Sequence, residues 1–100
     1  MAFEVRFKDE GLEKLERDAE QDAAYQAGIA RVFRKRMQLI RSARDERDFY
    51  ALKSLHFEKL EGKRKHQRSM KLNDQWRLII EITEGSPNKV LWVVSIEDYH

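Results

Sequence analysis

The apolar residues of this chain change period halfway along it, and this change restricts the fold more than any other feature. After a short alternating opening, the first half has them at helical spacing; in the second they alternate. Phe3, Val5 and Phe7 alternate with Glu4, Arg6 and Lys8, the pattern of a half-buried strand. Asp9 is placed to cap a helix beginning near Glu10, and Leu12, Leu15 and Ala19 share one stripe of it. Gly28 is a candidate break before Ile29, Val32, Phe33, Met37 and Ile40, which form the apolar face of a second helix; Arg31, Arg34, Lys35, Arg41 and Arg44 lie opposite. The segment from Asp45 to Leu55 suits a short further turn of helix. Then Met70 and Leu72 alternate, as do Trp76, Leu78, Ile80 and Ile82. Val90 to Ile96 is nearly continuous in apolar residues, which predicts a central strand covered on both faces, reached through the turn Glu84–Asn88. The order is β-α-α-β-β-β: an α+β fold in one domain spanning residues 1–100, with a helical hairpin on a mainly antiparallel four-stranded sheet.

Parity sizes the turn between the first two strands of the second half. A two-residue loop of Asn73 and Asp74 would set Lys71 against Trp76 and Met70 against Arg77, mixing apolar and charged residues on both faces. A three-residue loop, Asn73-Asp74-Gln75, pairs Leu72 with Trp76 and Met70 with Leu78 on the core face, and Lys71 with Arg77 on the other. Two cations side by side on an open face destabilise a sheet, so an anion is expected there.

Composition removes several function classes. There is no cysteine, so a disulfide scaffold, a Cys-ligated zinc site and a thiol nucleophile are excluded. No apolar run approaches the ~20 residues of a membrane span, and no signal-peptide pattern opens the chain, so a cytoplasmic protein without membrane contact is expected. The three histidines lack metal-ligand spacing, and neither a metal nor another cofactor is expected. Net charge is only +2, but residues 31–77 carry 15 basic and 6 acidic side chains between two acidic ends. Such a band suits a polyanion, whereas the plainer reading is a solvated surface.

Candidate functional residues gather in the second half. Arg77, fixed on a strand, suits bidentate phosphate recognition; its competing reading is an arginine paired with Glu81 on the same face. Lys59, Lys63, Arg64, Lys65 and Arg68 flank Gly62 in a basic loop that could hold RNA through phosphates without chemistry. The terminal segment Glu97-Asp98-Tyr99-His100 follows the most apolar strand. Asp98 and His100 can move protons, and Tyr99 can donate or stack. His56 is a further acid or base candidate against the plainer reading of a satisfied loop histidine. His66 has no evident carboxylate partner and is given no catalytic role.

The run Glu58-Lys59-Leu60-Glu61-Gly62-Lys63-Arg64, then Gln67-Arg68-Ser69-Met70-Lys71-Leu72-Asn73-Asp74-Gln75-Trp76-Arg77, resembles the plasmid-maintenance killer toxins of the HigB type, in the RelE-like group of type II toxin–antitoxin systems. Asp98-Tyr99-His100 resembles the same family's C-terminal segment. The resemblance is specific over residues 55–100. It implies a RelE-like fold and a ribosome-dependent endoribonuclease that cleaves translated mRNA. The implied partners are the ribosome, mRNA and a helix-turn-helix antitoxin, with operator DNA bound only through the antitoxin complex. By the same resemblance Arg77 contacts the scissile phosphate, Asp98, Tyr99 and His100 form the active-site tail, and His56 matches a histidine before the loop. Lys59, Lys63, Arg64, Arg68 and Lys71 are expected to hold RNA. Glu61 departs from the lysine common before the loop glycine, which implies weaker RNA contact there. The chemistry that fits is attack of a 2′-hydroxyl on the adjacent phosphate, without a metal. Two alternatives stay open: a ParE-type gyrase-inhibiting toxin, and a non-catalytic RNA- or partner-binding module of the same fold.

Overall fold

A computed structural model of the chain describes residues 3–18, 25 and 28–98. Five strands form one sheet in the order β1-β5-β4-β3-β2: β1 (Phe3–Phe7), β2 (Glu58–Lys59), β3 (Gln67–Lys71), β4 (Trp76–Thr83) and β5 (Lys89–Asp98). β1 runs parallel to β5, and every other pairing is antiparallel. The helices are α1 (Glu10–Arg17), α2 (Ile29–Ser42) and α3 (Arg47–Ala51), with 3₁₀ turns at Lys53–Leu55 and Gly62–Arg64. Sequence reading predicts four strands. The fifth, β2, is a two-residue edge strand pairing Glu58 with Ser69 and Lys59 with Arg68, too short to show alternation.

Local chemistry explains the first helix. Asp9 is extended and its Oδ1 accepts a hydrogen bond from the Gly11 N–H at 2.7 Å, while Glu10 and Glu13 stand in the first turn, where the helix dipole favours carboxylates. Gly28 caps α2 at φ 86°, a left-handed conformation that favours glycine. Leu12 and Leu15 of α1 and Ile29, Phe33, Met37 and Ile40 of α2 are buried against Phe3, Met70, Leu72, Leu78, Ile80, Leu91 and Val93 of the sheet. Ala19 lies outside the described residues. Phe49 of α3 stacks on Phe3 with ring centroids 6.0 Å apart and joins the same core.

The basic face of α2 is not a free polyanion surface. Arg41 makes two bonds to the Glu16 carboxylate at 2.6 and 2.7 Å, and Arg34 donates to the Leu15 and Asp18 carbonyls. Arg36 donates to the Lys71 carbonyl at 2.9 Å. Much of the charge segregated along the sequence therefore meets its opposite, or a backbone acceptor, when the two helices pack.

The three-residue loop is present. Asn73 Oδ1 accepts from the Gln75 and Trp76 amides, Met70 faces Leu78, and Lys71 faces Arg77. β5 is central, between β1 and β4, but the helices cover only one of its faces. On the other face Trp92 is half-buried, with Arg6 and Lys8 at 6.0 and 5.5 Å from its ring centroid. A bulge changes the phase of this strand: Ile80 pairs with Val93 but Ile79 with Ser95, leaving Val94 over. Strict alternation from Leu91 and Val93 would turn Ser95 and Glu97 toward the helices. The bulge puts Ile96 on that side with Leu78 instead, and brings Ser95 and Glu97 to the face of Ile79 and Arg77.

Candidate active site

The face away from the helices carries an unusual load of buried polar residues: Gln67, Ser69, Arg77 and Glu81 are each at most 9% exposed. The face is therefore not open, as parity alone suggests. The segment after β2 comes back over it, and Leu60, Arg64, Ser69, Arg77, Ile79, Glu97 and Asp98 line a cleft of about 150 Å³.

Arg77 forms part of the floor of this cleft. Its Nη1 donates to the His56 carbonyl at 3.2 Å and stands 3.8 Å from Glu58 Oε1. The pairing with Glu81 considered from sequence does not form, because four residues of one extended strand separate the two by about 13 Å; Glu81 has other partners. Its two oxygens accept from Lys8 Nζ at 2.9 Å and Gln67 Nε2 at 2.8 Å, and His66 Nε2 lies 3.7 Å away. His66 thus does have a carboxylate neighbour. Burial pushes the Glu81 carboxyl up, but the bonds from Gln67 and Lys8 outweigh it and hold the group below its ordinary value.

Across the cleft Arg64 is clamped. Its Nη1 and Nη2 donate to the two oxygens of Glu97 at 2.8 Å each, and its Nε donates to Gln67 Oε1 at 2.8 Å. Ser95 Oγ adds a 2.7 Å bond to Glu97. These bonds, Arg64 first, hold the Glu97 carboxyl below its usual range against the opposing effect of burial. A polar chain from Lys8 through Glu81, Gln67, Arg64 and Glu97 to Ser95 therefore crosses three strands and ties the segment bearing Arg64 to the sheet.

Of the residues singled out from sequence, Arg64, Arg77 and Asp98 meet in the cleft. Asp98 is exposed, and its carboxylate accepts from Gln75 Nε2 at 3.1 Å. Tyr99 and His100 lie outside the described residues. His56 contributes its backbone carbonyl to Arg77 and holds a left-handed φ of 46°, with the residue exposed. Lys71 stands opposite Arg77 in register and reaches Asp74 Oδ1 at 3.1 Å, so the two cations are partly answered by the chain's own carboxylates. Lys63 is exposed in the 3₁₀ turn beside Glu61, also exposed. Lys59 and Arg68 are not brought into the cleft: they face each other in register, one residue out of phase with Ser69, and so lie on the opposite side of the sheet. Sequence reasoning missed Ser69, Ile79 and Glu97. Parity could have found the first two, since both alternate in phase with Lys71 and Arg77; nothing in the sequence marks the bulge that delivers Glu97.

No curated protein sequence matches the chain. Nine chains of solved structures match the chain, three of them as follows. The YoeB/ParE toxin from Agrobacterium tumefaciens is 16% identical with a TM-score of 0.63, and the match covers 100% of both chains. YafQ from E. coli is 14% identical with a TM-score of 0.61, over 97% of this chain and 93% of its own. The YoeB-YefM complex from Staphylococcus aureus contains a chain 13% identical, with a TM-score of 0.59, over 100% of this chain and 99% of that one. Residues 5–99 match the sequence model of the RelE-like toxin of the type II toxin–antitoxin system HigB. With the helical hairpin, the mixed sheet and the arginine-lined cleft already described, that match leads to one conclusion: the chain belongs to the HigB-like family of RelE-like type II toxins.

Proposed function

We propose that this toxin is a metal-independent endoribonuclease that cleaves mRNA on the translating ribosome in the cytoplasm, stopping translation and growth. The observation that carries this reading is Arg77: a strand-borne guanidinium, 9% exposed, at the floor of a cleft shared with Arg64 and Asp98. A cation fixed in a water-poor site stabilises charge that develops on a phosphate far better than the same cation in water.

In the reaction, the 2′-oxygen of one nucleotide bonds to the adjacent phosphorus and the bond from phosphorus to the 5′-oxygen breaks. A base takes the 2′-hydroxyl proton, an acid supplies a proton to the departing 5′-oxygen, and the extra negative charge collects on the non-bridging oxygens. Arg77 serves that charge, since guanidinium stays protonated and cannot readily act as a base. Asp98 and His100 are the acid–base pair in this reading, Tyr99 stacks or donates, and His56 is the reserve. Lys63, Lys71 and Arg64 guide the RNA backbone, with Lys59 and Arg68 on the far side of the sheet edge for longer-range contact. The partner that silences the toxin is a helix-turn-helix antitoxin, and operator DNA is reached only through that complex. That a chain of this fold was solved in complex with YefM supports a protein partner for the toxin.

The test is expression in bacteria with mapping of mRNA ends. Codon-related cuts that vanish when translation initiation is blocked support the proposal. Growth arrest with intact mRNA and damaged DNA would favour gyrase inhibition, and binding without either effect would favour a non-catalytic module.

A further inference from the structure

Buried polar side chains nearly always find a hydrogen-bond partner, and each exception calls for a reason. Ser69 is one. It is 1% exposed, and its Oγ has no partner among the described residues. A hydroxyl buried in this way destabilises a fold, and an alanine would avoid the penalty.

Its position gives the hydroxyl a use. Ser69 lines the cleft with Arg64, Arg77 and Ile79. Across the β3–β4 ladder Ser69 faces Ile79 and Lys71 faces Arg77, so Ser69 and Arg77 are diagonal neighbours on one face, roughly 7–8 Å apart at the backbone. Other polar groups there are engaged: Arg64 with Glu97 and Gln67, and Glu97 also with Ser95. An O–H donor with no acceptor, beside a fixed guanidinium, is a donor set for a phosphate group.

We propose that Ser69 is a substrate-binding residue whose hydroxyl donates to a non-bridging oxygen of the scissile phosphate, beside Arg77. This rests on the endoribonuclease reading above. The phosphate reaches the hydroxyl when the segment from Leu60, half-buried, through the exposed Glu61–Arg64 yields, and the tether of that segment is the half-exposed Arg64–Glu97 pair. An RNA phosphate is a competing acceptor for the same guanidinium, so the substrate itself can loosen the tether.

The experiment compares the wild-type toxin with Ser69→Ala, Ser69→Thr and Ser69→Val. Each purified protein is added to a translating extract, cleaved mRNA is quantified, and thermal unfolding is followed in parallel. Threonine and valine have nearly the same shape and differ in the hydroxyl, so their difference isolates the donor from any crowding. Cleavage by Ser69→Ala should fall by about 10²-fold, the usual effect of removing one preorganised donor. Its melting temperature should equal or exceed the wild type's, because no bond is lost. Ser69→Thr should cleave at least about tenfold faster than Ser69→Val. Wild-type rates in Ser69→Ala, equal rates in the threonine and valine variants, or a lowered melting temperature in Ser69→Ala would each overturn the assignment. If the wild-type protein itself leaves mRNA intact, the endoribonuclease reading falls and takes Ser69's role with it.

Discussion

The two faces of the sheet are built from alternate residues of the same strands, yet they obey different rules. Toward the helices, Met70, Leu78, Ile80, Leu91 and Val93 are fully buried in one apolar cluster with residues of α1, α2 and α3. Away from the helices, Ser69, Arg77, Glu81 and Gln67 are almost as buried but polar, and charge-assisted bonds hold Glu81 and Gln67 in a chain with Lys8 and Arg64. The first face is non-directional and depends on volume; the second depends on every donor meeting its acceptor. Natural folds tend to break local rules where function needs it. Two such features, a hydroxyl with no partner among the described residues and a buried arginine beside another cation, fall on the second face; Arg68 Nε, likewise buried without a described partner, lies at the sheet edge on the other side. Stability and activity should therefore separate by face.

The largest expected effect lies on the helix side. Phe33→Ala removes a fully buried ring and should cost about 3–5 kcal/mol, a large part of the total stability of a domain this small. Chemical denaturation would show it, and a loss under about 1 kcal/mol would mean that the helical layer is not what holds the sheet. Next comes Arg77→Ala, whose damage should appear in cleavage: a fall of ~10²–10³, with only about 1 kcal/mol of stability lost as the His56 carbonyl loses its donor. Antitoxin binding should persist if the antitoxin grips mainly the helices. A folded Arg77→Ala protein that still arrests growth would erase the functional difference between the faces.

The smallest effect concerns pH. The folded protein holds the Glu81 and Glu97 carboxyls below their ordinary 4.5, so as pH falls through that value the unfolded chain takes up protons that the folded one still resists. The stability these groups contribute is thus present above pH 4.5 and is lost as pH drops through their folded values. Melting temperature should decline over that range, and Glu81→Gln should decline less steeply. An unchanged slope in Glu81→Gln would show that its bonds to Lys8 and Gln67 do not favour the ionised form.

Much of this was legible locally. The Asp9 cap, the stripe from Ile29 to Ile40 and the register of Lys71 on Arg77 all follow from spacing and parity, because each depends on residues a few places apart. The cleft was legible only in part. Arg77 stands out as a strand-borne arginine, but its burial depends on a segment 60–66 that folds back over the sheet. The basic band misleads for a related reason: Arg34, Arg36 and Arg41 look free in the sequence, and their acceptors arrive from 16 to 35 positions away.

Hydrophobic period by itself determined the order of the elements other than β2, which face of α1, α2, β1, β3 and β4 is apolar, and the pairing of β3 with β4, since side-chain direction in helices and strands repeats at fixed intervals. Tertiary structure alone decided that Glu81 would meet Lys8 from 73 residues away, that Arg64 would close on Glu97, and that Ser69 would be left without a partner among the described residues. Those outcomes depend on a two-residue edge strand and on one extra residue, Val94, in the central strand. Neither has a periodic signature, because a bulge is a break in period and two residues are too few to show one.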